Sequence, residues 1–364
     1  MNDRPKLRGA LIGCGFVSRY HLEAWRLTDD ASIVALCDID PVRLAEAGTR
    51  IPQASRFPSA SAMFRETELD FVEICTRPES HLALVELAAD HGVHVLCQKP
   101  SALNRADLLA MISACERSGL RFMVHENWRF RPWLRAIKRE VDQGTVGKPI
   151  RLRISHRDTR AIRPDGFRDQ PYFASMPRLI LFEMGPHLID SARYLFGEVV
   201  EVSAKLGRFG QGHVGEDLAM LTLEFETGAL GLLDLSWCSQ ADLARPEWAL
   251  NETVVEGSEA ILRLQVDGSL VRVGHDHSRR VIETPLPDDA AVYLDGYVQT
   301  QKHFIDGIRN GSPHETDGLD NLRTMSVSWA AYEAARQGRT LRLSPLDGEF
   351  DKSGLLLDRE GLKS

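Results

Sequence analysis

Apolar runs too short to be helices alternate with helix-length segments through the first 125 residues, and this alternation constrains the fold more than any other feature. Leu7 to Ile12, Ser32 to Cys37, Phe71 to Cys75, Val93 to Cys97 and Arg121 to His125 read as strands. Ser18 to Leu27, Glu79 to Asp90 and Arg105 to Arg117 read as helices, the last closed by Gly119. Short strands separated by helices form parallel βαβ units, so this part is expected to be an open, doubly wound parallel sheet of the Rossmann type. The total of 364 residues is enough for about two domains.

The first strand runs into Gly13-Cys14-Gly15-Phe16-Val17-Ser18 and then a helix. Gly13 permits the tight turn, Gly15 lets backbone amides approach a pyrophosphate, and the helix N-terminus favours that anion. Ser18 replaces the usual third glycine but is small enough for close helix–strand contact. Asp38 ends the second strand 25 residues after Gly13, where a carboxylate accepts ribose hydroxyls and repels a 2′-phosphate. NAD is therefore the expected cofactor, with NADP the alternative because Arg43 lies close by. The competing reading of Asp38 is a turn residue beside Asp40 and Pro41. Phe16 and Val17 on the loop, Thr76 and His81 after the third strand, and Gln98 complete the candidate cofactor set.

Val93 to Cys97 runs straight into Gln98-Lys99-Pro100. Ligands of open parallel sheets lie outside the carboxyl ends of the strands, which places Lys99 in that crevice rather than on a solvated surface. A second group is Glu183-Met184-Gly185-Pro186-His187, where Pro186 suits a helix start and Gly197 its end. His187 falls in the first helical turn, where the dipole disfavours imidazolium, and a neutral imidazole is what a general base needs. Glu183 is expected to orient His187 or to bind a substrate hydroxyl. The bland reading of His187 is a structural residue at a helix start.

Formal net charge is −8, which argues against a nucleic-acid binder or a basic membrane-surface protein. No stretch reaches the roughly 18 apolar residues needed to span a bilayer. Arg4, Lys6 and Arg8 before Gly9 to Val17 imitate a signal peptide, but no small-residue cleavage site follows. Six scattered cysteines without a Cys-x-x-Cys pair fit a reducing cytoplasm. The histidines show no metal-ligand spacing, so no metal is expected.

Beyond residue 125, Pro149 to Asp158, Val199 to Phe209, Leu218 to Glu226, Ala229 to Trp237, Ala249 to Glu256, Ala260 to Gln265 and Leu270 to Val273 read as strands. Thr227-Gly228 and Asp267-Gly268 supply hairpin turns. Residues 126–344 are thus expected to form an α+β domain with a large, mostly antiparallel sheet, followed by a polar tail at 345–364. One face of that sheet would carry the Glu183 to Phe196 helix. The other, apolar along Leu221, Leu223, Phe225 and Leu232, would pair with another subunit or be covered by an internal layer. Asn127, Arg129, His156 and Tyr172, with Glu183 and His187, are the candidate substrate-binding residues. The many arginines between Arg129 and Arg178 would suit an anionic substrate or, more commonly, solvated faces and ion pairs.

Gly13-Cys14-Gly15, Gln98-Lys99-Pro100, Asn127-Trp128-Arg129-Phe130, Glu183 to Asp190, Gln143 to Pro149, His303-Phe304-Ile305 and the helix near Leu319 to Gln337 together resemble the Gfo/Idh/MocA oxidoreductases, over about residues 6 to 343. The resemblance implies that Lys99 holds the reacting hydroxyl near the nicotinamide and that its bond to Pro100 is cis. It also implies that His187 is the catalytic histidine, with Glu183 the acid four positions earlier, and that the chain associates through its second sheet as a homodimer or homotetramer. Gln98 replaces the usual glutamate, Glu183 the usual aspartate, and Arg77 a common proline. Gln98-Lys99-Pro100, Glu183 and His125 to Trp128 further resemble a branch acting on the branched pentose D-apiose. The implied activity is NAD-dependent hydride transfer from a sugar or cyclic polyol. The alternatives are an NAD-dependent glycoside hydrolase on the same fold and a non-catalytic sugar or dinucleotide sensor.

Overall fold

In the computed structural model the strand-forming runs of the first 125 residues lie side by side as one parallel sheet. The structure describes residues 5–240, 251–283 and 291–343. The expected tail, and the first residues of the strand expected from Ala249, lie outside the described residues.

The order along the chain is β1 (Leu7–Ile12), α1 (Ser18–Arg26), β2 (Ala31–Cys37), α2 (Pro41–Arg50), β3 (Ser55–Phe57), α3 (Ala60–Glu66), β4 (Phe71–Ile74), α4 (His81–Asp90), β5 (His94–Gln98), α5 (Arg105–Arg117) and β6 (Phe122–His125). The six strands are arranged β3-β2-β1-β4-β5-β6. The order in which strands are added reverses between β1 and β4, which run parallel, and the crevice above that point is where such sheets bind ligands. β3, with α2 and α3 on either side of it, went unread in the sequence. Its three residues, Ser55-Arg56-Phe57, carry no apolar run. Asp40 starts α2 by accepting the amides of Val42 and Arg43.

The second part comprises α6 (Pro132–Asp142), β7 (Pro149–Arg157), α7 (Ile180–Glu183), α8 (Gly185–Phe196), β8 (Val199–Gly207), β9 (Leu218–Phe225), β10 (Leu230–Ser236), β11 (Glu252–Gly257), β12 (Ala260–Leu264), β13 (Leu270–Gly274), β14 (Arg279–Glu283), α9 (Ala291–Asn310), α10 (Gly318–Gln337) and β15 (Leu341–Arg342). Its nine strands are ordered β14-β13-β12-β11-β7-β10-β9-β8-β15. They are antiparallel except for β7 and β10, which pair in parallel. The rule that short turns force antiparallel pairing holds for neighbours in sequence. Here α8, β8 and β9 separate β7 from β10 and allow a crossover.

The sheet's apolar face is reversed from expectation. Leu221, Leu223 and Phe225 are almost fully buried in the core beneath α8 and α10. The open face carries Leu232, half-buried, together with the exposed Met220 and Leu230. Alternation along β9 gives no sign of which face is inner, and the expected grouping of Leu232 with Leu221, Leu223 and Phe225 fails because Leu233 is the residue opposite Leu221.

α9 packs on α1, and α10 contacts α5 and β6 as well as α8 and β8, so the last helices join both sheets. Arg129 ties this junction together. Its guanidinium donates to Asp190 Oδ1 and Oδ2 (2.5 and 2.8 Å), Asp320 Oδ2 (2.8 Å) and the Glu315 carbonyl (2.7 Å). Arg129→Met would leave the fully buried Asp190 without its counter-charge. We expect a stability loss of about 3 kcal/mol or more, measured by urea unfolding; a loss below about 1 kcal/mol would contradict this account.

Candidate active site

The glycine loop follows β1 at the switch point. Gly13 has φ +94°, and a Cβ there would lie 2.7 Å from the Cys75 carbonyl carbon and 2.8 Å from the Thr76 amide nitrogen. The loop is therefore pressed against the end of β4, and only glycine fits. A Cβ at Gly15 would meet nothing within 4 Å, so the backbone is open on the side where a pyrophosphate would lie. This cradle, opening the helix α1, fits a dinucleotide.

Asp38, at the end of β2, accepts the Cys14 amide through Oδ2 (2.6 Å) and the Asp40 amide through Oδ1 (2.8 Å). It thus shapes the glycine loop. Arg43 is ion-paired with Asp40 at 3.3 Å, so its charge is partly answered before any 2′-phosphate arrives. Phe16, under the Arg19 guanidinium (4.0 Å), and Val17 lead into α1. Thr76 follows β4 and receives the Ser80 hydroxyl on Oγ1 (2.8 Å).

His81 lies elsewhere than expected. It is fully buried and clamped between the Ser101 and Thr76 carbonyls (2.9 and 3.0 Å), bracing two loops rather than facing the crevice. Gln98 is likewise engaged within the protein, with its amide between His21 and the Lys99 backbone.

Lys99 follows β5 at the crevice, and the Lys99–Pro100 bond is cis. Its Nζ donates to Glu183 Oε1 (2.6 Å) and to the Glu183 carbonyl (2.9 Å). An ammonium has three N–H groups, so one remains for a substrate oxygen. The carboxylate of Glu216 accepts the Leu179 and Leu181 amides (3.0 and 3.1 Å) and sets the start of α7, whose last residue is Glu183.

Glu183 holds Lys99 and does not orient His187. That task falls to Glu126, one residue beyond β6, whose carboxylate oxygens lie 2.6 and 2.8 Å from His187 Nδ1. The His187 ring stacks on Trp128 at 4.3 Å, parallel within 1°, and the Arg131 guanidinium also packs on Trp128, at 4.5 Å. Burial, reinforced by the charges of Lys99 and Arg131, holds the His187 pKa well below the usual value. Burial raises the Glu126 carboxyl to about 7, opposed by the Trp128 amide and nearby cations. The sequence reading passed over Glu126. The signal was there, since Glu126 follows a strand's carboxyl end just as Lys99 does.

His156, near the end of β7, is buried, with Nδ1 3.0 Å from Asn251 Oδ1. Its Nε2 is buried without a hydrogen-bond partner among the described residues, and burial pushes its pKa down to about 4. Its ring centroid is 5.8 Å from that of Trp128, which brings it to the same platform as His187. Tyr172 has the Arg77 guanidinium 5.6 Å over its ring, and burial and the charge of Glu183 raise its phenol pKa. Asn127 is buried between Glu126 and Trp128. Arg129 is committed to the helix junction described above.

A dinucleotide cradle opening beside a lysine and a neutral, carboxylate-held histidine is the arrangement of an NAD-dependent dehydrogenase of alcohols. Residues 7–126 match the oxidoreductase family with an NAD-binding Rossmann fold, and residues 134–263 match the GFO/IDH/MocA C-terminal domain. The chain belongs to the Gfo/Idh/MocA oxidoreductase family. It is 41% identical over 349 residues to the D-apiose dehydrogenase of Paraburkholderia graminis, covering 94% of this chain and 92% of that one. To the Rhizobium rhizogenes D-apiose dehydrogenase it is 34% identical, covering 94% and 99%. A solved oxidoreductase from Agrobacterium radiobacter, in complex with NAD+, L-tartaric acid and magnesium, superposes with a TM-score of 0.86 at 34% identity, over 93% of this chain and 98% of that one.

Proposed function

We propose that this protein oxidises a hydroxyl of a sugar or cyclic polyol with NAD, and that D-apiose is the first substrate to test. Lys99, His187 and Glu183 are the proposed catalytic residues. Gly13, Gly15, Phe16, Val17, Asp38 and Thr76 are proposed to line the cofactor, and Asn127, His156 and Tyr172 the substrate. The observation that carries the reading is the His187–Glu126 pair, a buried base whose tautomer is set by a carboxylate. The relatives named D-apiose dehydrogenase support the substrate.

Bound NAD supplies the hydride acceptor. With Nδ1–H held by Glu126, His187 presents a bare Nε2 that takes the hydroxyl proton. The remaining Lys99 N–H donates to the same oxygen as it becomes carbonyl. Glu183 keeps the ammonium in place meanwhile. The alcohol loses one proton to His187 and one hydride from carbon, leaving a carbonyl compound and NADH.

The glycoside hydrolase alternative is redox-neutral, so stoichiometry separates the two. We expect one NADH per D-apiose consumed; free sugar released from a glycoside without net NADH would overturn the dehydrogenase reading. For the cofactor, Asp38→Asn is expected to raise KM for NAD about tenfold, because the carboxylate supports both ribose and loop. Initial rates at varied NAD and NADP would show this, and an unchanged KM would contradict it.

We further assign association as a homo-oligomer to the open face of the second sheet, around Met220, Leu230 and Leu232, and place the protein in the cytoplasm. All six cysteines are free, which supports a reducing compartment. No helix among the described residues is long and apolar enough to cross a membrane. Light scattering tests the association, and a monomer at micromolar concentration would contradict it.

A further inference from the structure

The family's usual glutamate before the lysine is Gln98 here, and the buried acid of this region is instead Glu73, in the middle of β4. Its carboxylate is wholly inaccessible to solvent, yet donors converge on it from three other elements. Oε1 accepts from His21 Nδ1 on α1 and from His125 Nδ1 at the end of β6, both at 2.7 Å. Oε2 accepts from Trp25 Nε1 at 2.6 Å and from Gln301 Nε2 on α9 at 3.4 Å. Burial alone would raise this carboxyl, but the hydrogen bonds it accepts from His125 and His21 favour its ionised form.

An ionised carboxylate only accepts, so His21 and His125 both turn Nδ1–H toward it. His21 Nε2 then faces Gln98 Nε2 at 2.7 Å. The Gln98 amide is oriented independently, because its Oε1 takes the Lys99 backbone N–H at 2.7 Å and a backbone N–H can only donate. The Gln98 amino group must therefore donate to His21, whose Nε2 carries no proton. Each bond in the series fixes the direction of the next, from the sheet core to the lysine main chain.

His21, Glu73 and His125 also place potential metal-ligating atoms within 4.8 Å of one another. Two ligands on a tetrahedral zinc, at about 2.0–2.2 Å each, would stand roughly 3.4 Å apart. The 2.7 Å separations here are those of shared protons.

We propose that Glu73, His21 and Gln98 are positioning residues for Lys99, and that Gln98 and His21 are a matched donor–acceptor pair. The proposal rests on the reading of Lys99 as catalytic. A glutamate at position 98 would set two acceptors face to face unless a proton entered, making His21 an imidazolium between two carboxylates. The groups facing His21 are Glu73, Gln98, the His125 ring (4.3 Å between centroids) and the Tyr297 ring (5.0 Å).

The test reverses the pair. Gln98→Glu removes the donor, and His21→Gln introduces an amide that can turn either its oxygen or its amino group toward position 98. In the double variant, the glutamine at position 21 donates to the carboxylate at position 98, which still accepts the Lys99 amide. With D-apiose and NAD, Gln98→Glu is expected to lose about tenfold or more in kcat, with KM for NAD changed less than about threefold, whereas His21→Gln alone still accepts from Gln98 and loses less. The double variant should recover to within about threefold of wild type, an interaction seen only when two residues act as a pair. Gln98→Glu at full kcat, or a double variant no faster than Gln98→Glu, would overturn the proposal. Lys99→Ala at full turnover would instead overturn the reading beneath it. Independently of any substrate, histidine 15N spectra should show His21 protonated on Nδ1 alone in the wild type and on both nitrogens in Gln98→Glu. A wild-type proton on Nε2 would contradict the proposal outright.

Discussion

Lys99→Ala is expected to lower kcat about a thousandfold while leaving NADH affinity within about threefold of wild type, the effect of losing a preorganised donor to the reacting oxygen. The nucleotide half of the cofactor would be held at Gly13–Gly15 and Asp38, on strands other than the one carrying Lys99, so its binding does not depend on the ammonium. Removing the lysine also releases Glu183, which then faces the reacting oxygen with negative charge just as that oxygen becomes negative. The change therefore subtracts a favourable interaction and adds an unfavourable one. Fluorescence titration with NADH and initial rates at saturating NAD measure the two halves. A kcat within tenfold of wild type would remove Lys99 from the mechanism.

The second large effect is in the pH dependence. Glu126 titrates near 7 because it is buried, and His187 stays neutral for the same reason, helped by Lys99 and Arg131. Above that pH the ionised Glu126 accepts from His187 Nδ1–H, leaving Nε2 bare to act as base. Below it the protonated acid donates to Nδ1, the ring proton moves to Nε2, and the base is blocked. Turnover should therefore rise with pH through about 7 and level off above, a macroscopic value belonging to the pair. In Glu126→Gln the amide oxygen can still receive Nδ1–H but does not titrate. We expect the inflection to vanish and the plateau to fall about a hundredfold, since an amide does not stabilise the imidazolium that forms. An unchanged inflection in the variant would assign it to another group.

The parts of this fold read from sequence are those governed by local periodicity. Leu7–Ile12 and the turn after it, the strand leading to Lys99, and the helix bounded by Pro186 and Gly197 all appear as their patterns imply. β3 is missed for want of an apolar run, and several other misreadings share one cause, which is that the deciding partners lie far away in sequence. Arg129 resembles a substrate residue until Asp190 and Asp320, 61 and 191 positions on, occupy its guanidinium. The inner face of β9 is decided by α8 and α10, and nothing in Leu218–Phe225 names them. Glu183, four residues away, reads as the histidine's partner or as a ligand of a substrate hydroxyl, yet Glu126, 61 residues away, holds the ring. In the same way Gln98 reads as a lost charge until Glu73 and His21 are seen beside it. Sequence spacing picks out residues at strand ends, but it does not pair the groups.

The central claim is that Lys99 and His187 carry out NAD-dependent oxidation of a sugar hydroxyl. Absorbance at the NADH band tests it most directly, with wild type and Lys99→Ala each given NAD or NADP and D-apiose, other pentoses, hexoses, inositols and sugar acids. The account predicts NADH formation by the wild type with one class of these sugars, NAD preferred over NADP, and no more than a trace with Lys99→Ala. Equal rates from both proteins, or no reduction with any member of the panel, would contradict it.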